Sequence, residues 1–536
     1  LPGGFPISII YKIILTLFIA VVLFLSFSES FIVSQEVNNT TSGNVSNLTA
    51  GINSTINSST YKHSTWGILV QDQNTSEVLF EENSQELFVP GSTTKLFAAA
   101  AALAAYGPDY RFQTPIYYDG NLESGTLKGN LVLLASGDLT MGGRNTPDGK
   151  MAYTNLDHCD ANSMDGANLT TTDPLSGLND LARQVKASGI NKVEGDVIID
   201  DRLFNKTLAP SGEYLITPIM INDNLIDLEI IPGKAGENAT INWRPQSSIF
   251  TVTSQVQTVS SGETEIIVKD DDITNIVVEG QILENSTPLV RTVTVEDPSS
   301  FARALFIEAL KREGVEVTSP VTGQNQQLLS NNTTTYTDDK QVALLTSLPF
   351  SENIKVVLKV SQNMQADTLV SLLAAKNGKK TFDEGMQLMG DFLKSAGVNT
   401  DQLALSDGRG GSSSDRISPE ASNQLLSYMG RQSYYQSFFD ALPVLGYDGS
   451  LAGVVTNSSP LYGKVNAKTG TAIAEDKLNG RGILLSKSLD GYMVARSGRK
   501  LIFSIYVNNV PLNSTEDVAL VHQDINKVLE AIYYNL

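Results

Sequence analysis

Val89-Pro90-Gly91-Ser92-Thr93-Thr94-Lys95 runs directly into Leu96 and the alanine-rich stretch Phe97–Ala105. Pro and Gly make a turn, and the alanines that follow are the strongest of helix formers. The pattern predicts Ser92 at a helix N-terminus with Lys95 three residues on, on the same face. A lysine amine beside a serine hydroxyl, kept from water and near another cation, can lose its proton near neutral pH and act as a general base. Backbone N–H groups at the helix start suit a developing oxyanion. Alone, S-x-x-K is a cheap pattern. Ser59–Lys62 and Ser497–Lys500 also match it, the first in a polar tract and the second in a turn. Neither opens a helix.

Two further motifs follow in order. Ser361-Gln362-Asn363 precedes a helix carrying Ala366 and Asp367. A hydroxyl two residues from a carboxamide can relay a proton and hold a substrate backbone, although an ordinary helix cap uses the same residues. Lys468-Thr469-Gly470-Thr471 follows Gly463–Ala467 and reads as a strand edge. Its lysine and hydroxyls suit a carboxylate, and its glycine permits close backbone approach. The ordered conjunction is far more specific than any member. A Ser-His-Asp triad finds no support: no G-x-S-x-G elbow occurs, and His63, His158 and His522 are scattered.

Around these motifs, Trp66–Val70 and Val78–Phe80 read as a hairpin. Short strands such as Leu131–Leu134, Val197–Ile199, Leu228–Ile231 and Glu265–Val268 make the middle β-rich, with helices at Leu175–Ala187 and Phe301–Arg312. Helical patterns return at Ala366–Ala375, Phe382–Ser395 and Pro419–Met429. A buried strand, Lys500–Val507, and a closing helix, Ser514–Tyr534, end the chain. The organisation is an α/β (α+β) domain interrupted by a large β-rich insertion of one or two domains.

Residues 1–33 read as a membrane anchor or signal segment, since Ile13–Phe27 carries no charge. Residues 34–62 read as a disordered, glycosylated tether, with N-x-[ST] sequons at Asn38, Asn39, Asn44, Asn47, Asn53 and Asn57. The catalytic domain is expected at 63–112 and 330–536, with 113–329 inserted. Both readings of the N-terminus predict export. The net charge of −20 disfavours nucleic acid. The single cysteine, Cys159, excludes an internal disulfide. Its neighbour His158 does not complete a zinc ligand set, so no metal is expected.

The chain resembles the low-molecular-mass penicillin-binding proteins of the D-Ala-D-Ala carboxypeptidase/endopeptidase type with a large inserted region (DacB-like, S13 peptidases). Besides the three motifs, Ala135–Thr140, Gly195–Asp201, Ile221–Asn224, Ser406–Gly408 and Leu442–Gly453 carry the likeness. The resemblance implies a penicillin-recognising serine hydrolase fold and an acyl-enzyme at Ser92, with Lys95 as its base. It implies that Ser361 relays a proton, Asn363 positions substrate and Lys468 stabilises charge. Thr469 and Thr471 would bind the substrate carboxylate, with Gly470 between them in the substrate-binding strand, and the N–H groups of Ser92 and Thr471 would form the oxyanion hole. The implied partners are D-Ala-D-Ala-terminated or cross-linked cell-wall peptides, with β-lactams as covalent inhibitors and no cofactor. A β-lactamase, esterase or D-aminopeptidase on the same scaffold, or a non-catalytic surface glycoprotein, are the alternatives. Asp367 stands where glutamate is more usual, and Gly142–Asp173 and Glu475–Ile483 look like extra polar insertions.

Overall fold

The computed structural model describes residues 42–269, 274–326, 336–514 and 516–536. Its central sheet has the strand order Val465–Asp476, Arg481–Val494, Lys500–Asn508, Thr65–Asp72, Val78–Glu82, all antiparallel. The K-T-G motif therefore lies on an edge strand. Alternation sorts the side chains. Phe503, Ile505 and Val507 are buried in one core, and Ile502 and Tyr506 in another.

Helix Glu516–Asn535 covers one face and Pro419–Met429 the other. Helix Lys95–Tyr106 lies deeper still, and every residue from Lys95 to Leu103 is buried. Helices Phe350–Lys359, Asn363–Lys376 and Phe382–Ser395 pack around it. A helix apolar on all sides belongs in such a place, and its alanines let the neighbours approach closely.

The second body of the chain has its own contiguous core, from Ile116 to Leu345. Its main sheet runs Glu316–Val317, Lys192–Val193, Thr126–Leu134, Gln113–Glu123, Gln341–Thr346, with Val197–Asp200 also paired to Thr126–Leu134. Helices Ser176–Ala187 and Pro298–Arg312 cover it. Two three-stranded sheets complete this body. The segments by which the chain enters and leaves it, Gln113–Glu123 and Gln341–Thr346, pair with each other. Its core thus takes in Ala343 and Leu345, beyond the residue 329 expected as its end.

One expectation is corrected. Residues 42–56, placed in a disordered tether, form the helix Ser42–Ile56. Leu48, Ile52 and Ile56 recur every fourth residue and are buried beside the C-terminal helix. Gly51 allows the close approach: a Cβ there would sit 3.0 Å from that of Ala531. Tyr61 extends the contact by donating to Asp524 at 2.7 Å. A single apolar residue per turn, set among Asn, Ser and Thr, is too sparse to lift the tract's composition, yet it makes one continuous stripe. Leu48→Ala or Ile52→Ala is expected to cost about 2–5 kcal/mol, read as a lowered Tm. The expected anchor at 1–33, and the rest of the tether up to residue 41, lie outside the described residues. Among the described residues no helix is long and apolar enough to cross a membrane.

Candidate active site

The three motifs meet in one cleft. Ser92 sits in the turn Gly91–Thr94, which passes into the helix at Lys95. Ser92, Ser361 and Asn363 are half-buried, while Lys95 and Lys468 are wholly buried. Lys95 Nζ lies 2.8 Å from Ser92 Oγ, 2.7 Å from Asn363 Oδ1 and 3.0 Å from the carbonyl oxygen of Arg409. Burial pushes its pKa down to about 8, against the attraction of Asp367 and with the repulsion of Arg409. An amine so placed can take the serine proton.

Lys468 makes the parallel arrangement on the other wall. Its Nζ donates to Ser361 Oγ at 2.9 Å and to the Thr469 carbonyl at 2.8 Å. Burial, then the charge of Lys95, holds its pKa well below the ordinary lysine value. Ser361 occupies the left-handed region at φ 64°. Such strain in a non-glycine residue persists where surrounding structure enforces it. Here the helix Asn363–Lys376 begins immediately after, with Gln362 capping it through a bond from the Gln365 N–H.

The edge strand touches the serine turn itself. A Cβ on Gly91, at φ 55°, would come within 2.9 Å of the Thr471 nitrogen. One on Gly470 would come within 2.3 Å of the Pro90 carbonyl oxygen and 3.1 Å of the Ser92 nitrogen. Only glycines fit, and they let the edge strand lie against the serine turn with the backbone nitrogens of Ser92 and Thr471 close to that contact. Thr469 Oγ1 shares a hydrogen bond with Ser450 Oγ at 2.8 Å. Thr471 Oγ1 accepts from Lys487 at 2.9 Å.

Several further residues shape the site although no motif gave them a role. Asp407 accepts the N–H groups of Arg409, Gly410, Gly411 and Ser412 at 2.6–3.0 Å. That fan of bonds shapes the loop whose Arg409 carbonyl reaches Lys95. Asp367 accepts from Tyr214 Oη at 2.7 Å and from the Gly408 N–H at 2.9 Å. Burial, then Asp407, raises its pKa to about 6.

The Gly142–Asp173 segment, read above as an extra polar insertion, packs against both cleft walls. Arg144 clasps Asp157 through two bonds at 2.7 and 3.0 Å and reaches Asp223 at 2.7 Å. His158 bonds Asp223 at 2.8 Å and Asp227 at 2.7 Å, and Arg244 bonds Asp227 at 2.8 Å. Burial opposes a charge on His158, but Asp227 and Asp223 outweigh it and hold its pKa at about 10. Asp157, His158 and Asp223 place their donor atoms near enough to share a metal. The Arg144 guanidinium already engages both carboxylates, so the arrangement is that of an ion-pair cluster. Asp223 also accepts from Gln365 at 2.7 Å, two residues from Asn363. On the other side Asn155 accepts the Gly449 N–H at 2.9 Å, next to Ser450 and hence Thr469. Asp160, half-buried, feels both Lys95 and Lys468. Burial and Asp157 still raise its pKa to about 6.

Known proteins resemble this chain over most of its length. The D-alanyl-D-alanine carboxypeptidase of an Actinomadura species is 26% identical over 437 residues, covering 77% of this chain and 74% of that protein. The D-alanyl-D-alanine carboxypeptidase DacB of Haemophilus influenzae is 24% identical over 473 residues, covering 84% and 86%. The crystal structure of penicillin binding protein 4 (dacB) from Haemophilus influenzae superposes with a TM-score of 0.66 at 22% identity, covering 92% of this chain and 99% of that one. The model of the D-Ala-D-Ala carboxypeptidase 3 (S13) family matches residues 48–531. The chain is therefore a hydrolase that belongs to the D-Ala-D-Ala carboxypeptidase 3 (S13) family.

Proposed function

We propose that this protein is an exported serine-type carboxypeptidase that removes a terminal D-alanine from cell-wall-type peptides through an acyl-enzyme at Ser92. The observation that carries the reading is Lys95 Nζ held between Ser92 Oγ and Asn363 Oδ1, with Lys468 on Ser361 facing it. Neutral Lys95 takes the Ser92 proton as Oγ attacks the carbonyl carbon of the penultimate residue. The Ser92 and Thr471 N–H groups receive the oxyanion. Ser361, bonded to Lys468, passes its proton to the leaving amine as the C–N bond breaks and D-alanine departs, and the proton held by Lys95 replaces it, leaving Lys95 neutral again. Water then gives a proton to Lys95 as it attacks the ester carbon, and Lys95 passes that proton to Ser92 Oγ as the ester C–O bond breaks and the shortened peptide acid leaves. Thr469, Gly470 and Thr471 hold the terminal carboxylate along the edge strand. Residues 63–112 with most of 330–536 are the catalytic domain in this reading, and 113–329 the insertion, whose core reaches on to Leu345.

Release of free D-alanine from a diacetyl-L-lysyl-D-alanyl-D-alanine peptide tests the reading. No release, with penicillin turned over rapidly instead, would favour a β-lactamase on the same scaffold. No reaction with either would favour a non-catalytic protein.

The pKa of Lys95 gives this reaction a pH dependence. The base works only when neutral, and with a pKa of about 8 roughly a tenth is neutral at pH 7. The value of kcat/KM is expected to rise about tenfold per pH unit below 8 and to level above it, until other groups titrate. A profile flat from pH 6 to 9 would argue against Lys95 as base.

A further inference from the structure

The segment Gly142–Asp173 holds a position at the cleft that the reaction scheme leaves without a task. It lies across the residues that flank Ser361 and Thr469. On the Ser361 side, Met151 is buried in a small apolar cluster with Val360, the residue before Ser361, and Tyr153 and Cys159 pack against it. The Met151 N–H donates to Glu352 at 2.9 Å, and Cys159 Sγ lies 3.9 Å from the Val360 carbonyl oxygen. On the Thr469 side, Tyr153 Oη donates to Asp448 at 3.4 Å, and Asn155 accepts the Gly449 N–H at 2.9 Å. Ser450, next in the chain, bonds Thr469. Lys359 ties the two sides together by donating to Asp448 at 2.5 Å.

The segment is held firmly there. Asp157 and His158 fall between the anchors Asn155 and Cys159, and both are bound into the buried cluster of Arg144, Asp223 and Asp227. Side chains fixed in this way by packing and hydrogen bonds keep one geometry. Asp160 comes two residues after His158. Its carboxylate is half-buried, and among the described residues no donor bonds it, yet its charge acts on both Lys95 and Lys468. Asp160 therefore stands on the cleft side of the segment.

In the function proposed above, on which this inference rests, the leaving residue has its amine at Ser361 and its carboxylate at Thr469. The segment is bound to the neighbours of both, so it stands beyond the leaving residue. We propose that residues 151–160 form a fixed wall that limits the leaving residue to a small one with nothing attached to its side chain. Linear peptides ending in D-alanine fit. A cross-link, whose leaving residue continues through its side chain into a second peptide, meets the wall and is rejected.

The test compares diacetyl-L-lysyl-D-alanyl-D-alanine with the peptide ending instead in Nε-acetyl-D-lysine, in the full-length enzyme and two variants. Both peptides share the acyl part and the free carboxylate, so only the side chain of the leaving residue differs. The wild type is expected to prefer D-alanine by about a hundredfold or more in kcat/KM. Asp160→Gly, which opens the cleft side of the wall, is expected to cut that preference by about tenfold or more. Asp160→Asn, of equal size, is expected to keep it. The ratio does not depend on how much of each variant is folded, and a purely structural role would slow both peptides alike. Similar rates on both peptides in the wild type, or an unchanged ratio in Asp160→Gly, overturns the proposal while leaving the carboxypeptidase reading intact. A wild type that cleaves neither peptide overturns both.

Discussion

Ser92→Ala is expected to lower D-alanine release by at least about 10⁴-fold, and Lys95→Met by about 10³-fold or more. The two losses should not add, because the serine and its base act on one proton. The stability consequences separate the two variants. Ser92 is half-buried at the cleft and its loss removes one oxygen, so Ser92→Ala should unfold near the wild-type temperature. Lys95 is wholly buried with its pKa lowered from 10.5 to about 8. A lysine whose pKa falls on folding binds protons more readily in the unfolded chain. Its contribution to stability therefore rises as pH passes from about 8 to 10.5 and is least favourable below 8. Removing it relieves that cost at neutral pH, and methionine fills most of the vacated volume. Lys95→Met is expected to be at least as heat-stable as the wild type at pH 7 and nearly inactive. Activity would thus be retained at the expense of stability, as buried catalytic groups generally impose.

The second large effect lies in the inserted segment. Arg144→Ala is expected to destabilise the protein by about 3–5 kcal/mol, because it strands buried carboxylates without their partner. Arg144 is in contact with Asp157 and Asp223, both wholly buried. Arg144→Lys should recover little of this, since a point ammonium cannot span the two-bond clasp on Asp157 while reaching Asp223. Catalysis should fall as well. Asp223 holds Gln365 in the first turn of the helix that begins at Asn363. Any folded Arg144→Ala protein is expected to show kcat reduced by about tenfold or more. His158 adds a pH signature. Its folded pKa of about 10 lies above the ordinary 6.5, so its stabilising charge is fully felt below pH 6.5. That contribution is lost as pH rises through about 10. Thermal unfolding followed from pH 6 to 10 reads both effects. A wild-type-like Tm for Arg144→Ala would contradict the cluster's structural role.

Local chemistry explains which parts of the site the sequence announced. The Pro-Gly turn before an alanine-rich run placed Ser92 and Lys95, and the ordered S-x-N and K-T-G motifs supplied Ser361, Asn363 and Lys468. Each of these depends on a few adjacent residues. The remainder depends on pairings that bring distant residues together. Thr471 finds its partner Lys487 only through the register of the two paired strands, which requires the hairpin to be drawn first. His158, set aside as an isolated histidine, finds its partners at Asp223 and Asp227 only when the inserted body folds. Asp407 entered only as part of the family-like stretch Ser406–Gly408, whereas its use is to collect four backbone N–H groups. The helix Ser42–Ile56 was hidden for a different reason: its apolar stripe is one residue wide, and the composition of the tract is set by the faces that meet water.

The central claim is acylation of Ser92, and covalent capture tests it most directly. The native protein is incubated with a fluorescent penicillin, digested, and the modified peptide identified by mass spectrometry. One adduct per chain on Ser92, absent from Ser92→Ala and suppressed in Lys95→Met, is the expected result. An adduct on another residue, or none on a folded protein, would contradict it.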